Sequence, residues 1–215
     1  MKQFLLLAFL FAAFAPLMFA QADEMGKNEL AVWGGYSPDS STLVKGIGRT
    51  EDARFGIIAF RYSRRFNNSD TYNLKYTADV VPASFLNYPD SDGIPIFVSP
   101  SGPIAPSPVR IRETRYAFGA APLGLQINFR PRKRVQPFIG ASGGMLFFNK
   151  RTPNLVGTRF AFTADIGAGI EFRLKERRSV TVGYKYYHIS NGDRGIENPG
   201  FDNNLFYIGY TFFSR

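Results

Sequence analysis

Three stretches of the chain alternate with a period of two, and the alternation is lopsided. From Phe160 the even positions read Phe160, Phe162, Ala164, Ile166, Ala168, Ile170 and Phe172, separated by Ala161, Thr163, Asp165, Gly167, Gly169 and Glu171. Tyr72, Leu74, Tyr76, Ala78 and Val80 alternate in the same way with Asn73, Lys75, Thr77 and Asp79. Ala121, Leu123, Leu125, Ile127 and Phe129 alternate with Pro122, Gly124, Gln126 and Asn128. A strand sends successive side chains to opposite faces, so each stretch carries one apolar face tipped with aromatics and one face that is small, polar or charged. No segment sustains a helical period. The fold class is all-β.

A soluble sandwich with its charges in water would alternate too. Three features put lipid on the apolar side instead. Aromatics mark the ends of the apolar stripes, and segments of about ten residues suit tilted membrane-spanning strands. The chain also opens as an export leader: Lys2 is followed by a nearly unbroken apolar run from Phe4 to Phe14, and Ala20-Gln21-Ala22 offers small residues around a cleavage point. Residues 1–22 are therefore expected to be a signal peptide and residues 23–215 an outer-membrane β-barrel domain of a bacterial cell.

Strands are expected at about Glu29–Tyr36, Arg54–Arg64, Tyr72–Val81, Tyr116–Phe129, Val135–Phe148, Arg159–Phe172, Val180–Ser190 and Asn204–Phe213. That makes an eight-stranded antiparallel transmembrane β-barrel, an even count as bacterial single-chain barrels require. Long connections (Ser37–Ala53, Pro82–Arg115, Asn149–Thr158, Asn191–Asn203) alternate with short ones (Phe66–Thr71, Arg130–Arg134, Arg173–Ser179), the pattern of outside loops opposite periplasmic turns. Eight strands leave a lumen that side chains fill. The charges Arg61, Lys75, Asp79, Asp165 and Glu171 then read as paired groups inside it.

Composition excludes several chemistries. The chain has no cysteine and a single histidine, which removes thiolate chemistry and leaves no zinc ligand set, so neither metal nor cofactor is expected. Lysine and arginine exceed the acids by 26 − 17 = 9. Export and the lack of any nucleic-acid motif argue against nucleic acid as the partner, and loop cations such as Lys45, Arg112, Lys150 and Arg194 could instead meet lipid phosphates.

The single histidine, His188, stands two residues before Ser190 at the end of the seventh expected strand, so the two side chains share a face with Cα atoms roughly 6–7 Å apart. That distance allows a hydrogen bond between Ser Oγ and the imidazole. Asp202, on the next strand, is placed to orient the ring and complete a nucleophile, base and acid. Parity adds a location. His188 and Ser190 continue the apolar row Val180, Val182, Tyr184 and Tyr186, and Asp202 continues the row Phe206, Ile208, Tyr210 and Phe212, so all three fall on the lipid-facing side at the outer rim. Polar groups in such a row are costly unless they pair or have a task.

With barrel and motif together, the sequence resembles the outer-membrane lipid A 3-O-deacylase family. The resemblance rests on His188-x-Ser190-Asn191, on Asn198-Pro199-Gly200, on a carboxylate fourteen positions after the histidine, and on the opening Ala31-Val32-Trp33-Gly34-Gly35-Tyr36-Ser37. It implies an eight-stranded barrel that hydrolyses an ester-linked acyl chain of lipid A, the 3-O-acyl chain in that family, with lipopolysaccharide and outer-membrane lipids as partners. Carried over, Ser190 is the nucleophile, His188 the general base and Asp202 the acid. Asn191 would help to hold the oxyanion, and Asn198 would shape the loop or the site. The family's acid is usually glutamate, so Asp202 is a departure and nearby Glu197 a rival. An outer-membrane phospholipase using the same residues and a non-catalytic structural barrel are the alternatives, and a homodimer is compatible with the sequence.

Overall fold

The computed structural model describes residues 27–40, 50, 52–67, 69–90, 98–99, 102–103, 111–175, 178–196, 198 and 200–213. The expected signal peptide, Pro199 and the rival carboxylate Glu197 lie outside the described residues. Every helix or strand among the described residues is a strand: β1 (Asn28–Ser37), β2 (Arg54–Arg65), β3 (Tyr72–Asp90), the two-residue pair β4 (Val98–Ser99) and β5 (Gly102–Pro103), then β6 (Ile111–Phe129), β7 (Val135–Thr152), β8 (Thr158–Lys175), β9 (Arg178–Ser190) and β10 (Phe201–Phe213). Leaving aside β4 and β5, the strands form a closed antiparallel barrel in the order β1-β10-β9-β8-β7-β6-β3-β2. Closure is made by β1 on β10, with Val32 opposite Tyr210 and Gly34 opposite Ile208. The eight-stranded antiparallel barrel expected from the sequence is what forms.

The alternating faces sort as the residues dictate. Ile166, Leu125, Ile208 and Phe206 stand 53–64% exposed on the outside, while Asn73, Lys75, Thr77, Asp79, Asp165 and Glu171 are buried in the lumen. Lys75 Nζ lies 2.8 Å from Glu29 and 3.2 Å from Glu171, and Arg65 reaches the other oxygen of Glu29 at 2.7 Å. Arg61 grips Asp79 through two nitrogens at 2.7 Å each, and Lys185 meets Asp165 at 2.9 Å. Pairing of this kind is what makes buried charge tolerable. Trp33 sits beside Tyr207 with ring centroids 5.6 Å apart and lies under the cations of Arg61 and Lys185.

Toward the end that carries the longer connections, the lumen turns apolar. Phe55 stacks on Tyr187 with centroids 5.2 Å apart, Tyr88 meets Phe201 edge-on at 5.1 Å, and Leu86, Leu146, Ile189 and Leu205 are buried with them. Tyr187 and Ile189 belong to β9, so the wall that carries His188 and Ser190 is packed from behind.

Strand ends differ from expectation where proline stands. The third strand was expected to stop at Val81, but β3 runs on to Asp90 and pairs with β6 as far as Ile111. The register shifts between Val81 and Ser84, around Pro82, and again between Thr77 and Asp79, opposite Pro122. A bulge absorbs a residue that cannot donate to the ladder, so each proline bends the sheet without ending it. The last strand begins at Phe201 rather than Asn204. That difference places Asp202 within the sheet.

Candidate active site

The register of β9 and β10 sets the first contact. His188 is the direct partner of Asp202, Tyr186 of Asn204 and Tyr184 of Phe206. Directly opposed residues hold their Cβ atoms about 4.5–5.5 Å apart, within reach of a short carboxylate. His188 Nδ1 lies 2.5 Å from Asp202 Oδ1. The Asp202 side chain is only 1% exposed, whereas the imidazole is 20% exposed, so the ring covers the acid and keeps its other edge open. An ion pair or charge-assisted bond shielded in this way is stronger than one in water. Beneath the pair, Tyr184 Oη donates to Asn204 Oδ1 at 2.6 Å in the same row.

Ser190, two residues along β9, lies opposite Phe162 of β8, and His188 lies opposite Ala164. The hydrogen bond expected between Ser190 and His188 is not formed. The serine hydroxyl is held by Asn198 instead: Asn198 Nδ2 donates to Ser190 Oγ at 2.9 Å, and Ser190 Oγ lies 3.1 Å from Asn198 Oδ1. The physical reason is local. Just past the end of β9, Gly192 and Asp193 are both at positive φ (63° and 57°), which reverses the chain, and the Asn198 amide lies against Ser190.

Each predicted polar residue has a position in this arrangement. Asn191 is buried, and its backbone N–H donates to Asn198 Oδ1 at 3.0 Å. Two donors do converge on Ser190 Oγ, the Asn198 amide and the Gly192 N–H at 3.1 Å. Asp193 holds the same amide from the far side, with Oδ1 accepting from Asn198 Nδ2 at 3.1 Å. Gly192 and Asp193 were not singled out in the sequence, although Asn-Gly-Asp is a turn-forming run that could have drawn attention to them.

Neighbouring loops pin this one. Thr50 N–H donates to Gly200 O at 3.3 Å, Ile196 N–H donates to Val156 O at 3.3 Å, and Ser40 bridges to Asn203. Ser190 borders a small pocket lined also by Thr152, Pro153, Ala161, Ile189, Asn198 and Phe201. On the outer face the side chains below the serine are small or slender: Ala164 and Ala168 are exposed, alternating with Ile166 and Ile170. No group of three or more His, Cys, Asp or Glu among the described residues could hold a metal ion.

A family model described as lipid A 3-O-deacylase (PagL) matches residues 52–211, a span that holds every residue of this site. Among solved structures, the crystal structure of the outer membrane enzyme PagL is similar with a TM-score of 0.53 at 16% identity, over 85% of this chain and 98% of that one. Neisserial surface protein A is similar at 0.47 and 13% identity, over 89% and 100% of the two chains. OprG from Pseudomonas aeruginosa is similar at 0.46 and 12% identity, over 89% and 98%. A comparison with curated proteins returned no match.

Proposed function

The chain belongs to the lipid A 3-O-deacylase family, and on that premise we propose that it hydrolyses an ester-linked acyl chain of lipid A by Ser-His-Asp catalysis at the outer, lipid-facing rim of the barrel. The observation that carries the reading is the shielded contact of His188 with Asp202, in the same outward row as Ser190.

A neutral hydroxyl is a poor nucleophile, so His188 Nε2 accepts the Ser190 proton as Oγ attacks the ester carbonyl. Asp202, on Nδ1, holds the imidazole in the tautomer that leaves Nε2 free and stabilises the imidazolium. The tetrahedral oxygen takes hydrogen bonds from Asn198 Nδ2 and the Gly192 N–H, the two donors already aimed at Ser190. Collapse breaks the ester C–O bond, and the imidazolium gives its proton to the departing sugar alkoxide, which leaves as the hydroxyl. Water then attacks the acyl-enzyme with His188 as base, releasing the fatty acid and restoring Ser190.

In the resting arrangement the serine is bonded to Asn198, so attack requires the hydroxyl to turn from the Asn198 carbonyl oxygen toward His188. That turn is a change of χ1 between staggered wells. Asn191 contributes by fixing Asn198 through its backbone N–H. The acyl chain lies on the outer wall beside Ala164 and Ala168, where a bulkier row would lift it away from Ser190.

The test is mass spectrometry of lipid A incubated with detergent-solubilised protein. Loss of one ester-linked acyl chain, abolished by Ser190→Ala, is the expected result. Hydrolysis of glycerophospholipid with lipid A untouched would identify a phospholipase instead, and retention of full activity in Ser190→Ala would remove the mechanism.

A further inference from the structure

Arg194 stands four residues beyond Ser190, and its side chain does not point into solvent at random. The guanidinium lies over two rings of the outer row of β8, 4.9 Å from the Phe162 centroid and 5.4 Å from that of Phe160. Phe162 is the direct strand partner of Ser190. The cation is therefore held one strand away from the serine, on the same outward face. Its backbone is fixed as well: Arg194 N–H closes a turn onto Asn191 O at 3.4 Å, and Ile196 N–H ties the loop to Val156.

The surroundings define what such a cation can bind. The luminal cations Arg61, Lys75 and Lys185 each meet a carboxylate, but among the described residues the Arg194 guanidinium has no carboxylate or hydrogen-bond partner. Asp193, its chain neighbour, directs Oδ1 to Asn198 instead. A guanidinium resting on ring faces keeps its N–H edge free for bidentate contact with a tetrahedral anion. Exposed apolar side chains stand on the two loops that Ile196 N–H ties together, Leu155 at 73% and Ile196 at 84%. A ligand matching both features has an anionic group attached to hydrocarbon, and a soluble anion would leave Leu155 and Ile196 uncovered.

We propose that Arg194 is a specificity residue that binds a phosphate on the sugar backbone of the substrate while the acyl chain enters beside Ala164. The inference rests on the deacylase reading. It assigns the phosphate to the substrate molecule itself rather than to a neighbouring membrane lipid.

The experiment compares lipid A carrying its phosphates with the same lipid A after enzymatic dephosphorylation, in uncharged detergent micelles free of phospholipid. The readout is the ratio of kcat/KM on the two substrates, for wild type, Arg194→Gln and Arg194→Lys. Loss of a charge-assisted bond predicts that Arg194→Gln lowers this ratio by about ten- to a hundredfold, chiefly through KM, with Arg194→Lys in between. An unchanged ratio overturns the proposal, as does an equal loss on both substrates, which would mark Arg194 as a loop-shaping residue. A change seen only after anionic phospholipid is added assigns the phosphate to surrounding lipid and overturns the substrate assignment. The same comparison of binding constants in a Ser190→Ala background, with and without Arg194→Gln, decides the question without turnover. If wild type cleaves neither lipid but the binding ratio still depends on Arg194, the deacylase reading fails while the phosphate site stands.

Discussion

Asp202 is buried directly behind His188, its carboxylate 2.5 Å from Nδ1 and only 1% exposed, because the two residues are opposed partners on adjacent strands. Their geometry is set by the sheet itself rather than by a loop. A carboxylate seated in a ladder has little freedom to drift, so aspartate reaches the ring without the extra methylene of glutamate.

Asp202→Asn should leave the barrel intact and lower kcat by about 10⁴-fold, since an amide can stabilise neither the required tautomer nor the imidazolium. The check is acyl release from lipid A alongside the heat-modifiable shift of the folded barrel on a gel. Near-wild-type turnover in this variant would mean that another group orients His188.

Ser190→Ala and His188→Ala should each reduce turnover by several orders of magnitude, and the double variant should be little slower than either. Residues that act as one unit give non-additive losses. A double variant whose loss equals the product of the two single losses would show that the two act independently.

Asn198→Ala removes an amide that donates to Ser190 and accepts from the Asn191 N–H. Loss of an oxyanion donor costs about 10²–10³ in kcat. KM should change much less than kcat. A variant with raised KM and unaltered kcat would restrict Asn198 to shaping the loop.

Two neighbouring substitutions in β8 should destabilise for opposite reasons. Ile166, 64% exposed on the lipid side, should lose roughly 2–4 kcal/mol on replacement by Lys near mid-depth. At Gly167 a Cβ would lie 2.3 Å from the Tyr184 carbonyl oxygen and 2.9 Å from Lys185 Cγ, so Gly167→Val overpacks the wall and should cost about 1–3 kcal/mol or more. Reversible urea unfolding in detergent or lipid vesicles measures both. Wild-type stability in either variant would contradict the assignment of faces.

Much of this was legible in the sequence because lipid and lumen impose opposite demands on alternate residues. The row from Phe160 to Phe172 needed no partner strand to be read, and parity alone put His188, Ser190 and Asp202 on one side. The strand ends past Pro82 were not legible, since a missing N–H ends a strand or forms a bulge depending on what the opposite strand can absorb. The bond between Asn198 and Ser190 was hidden for a different reason. It depends on two successive positive-φ residues, Gly192 and Asp193, whose chain reversal has no periodic signature. Asn191 was matched to oxyanion holding, yet the same reversal brings its backbone N–H to Asn198.

The Lys75 contact with Glu171 joins residues 96 positions apart, and its contact with Glu29 joins residues 46 apart. An open sheet would keep Arg61 with Asp79 and Lys185 with Asp165, which sit on neighbouring strands, but it would part Lys75 on β3 from Glu171 on β8 and leave Glu171 bare against hydrocarbon. Assembly therefore has an order built into it: the first and last strands must find each other before or while the sheet enters the membrane, because only the closed cylinder gives Glu171 its counter-ion.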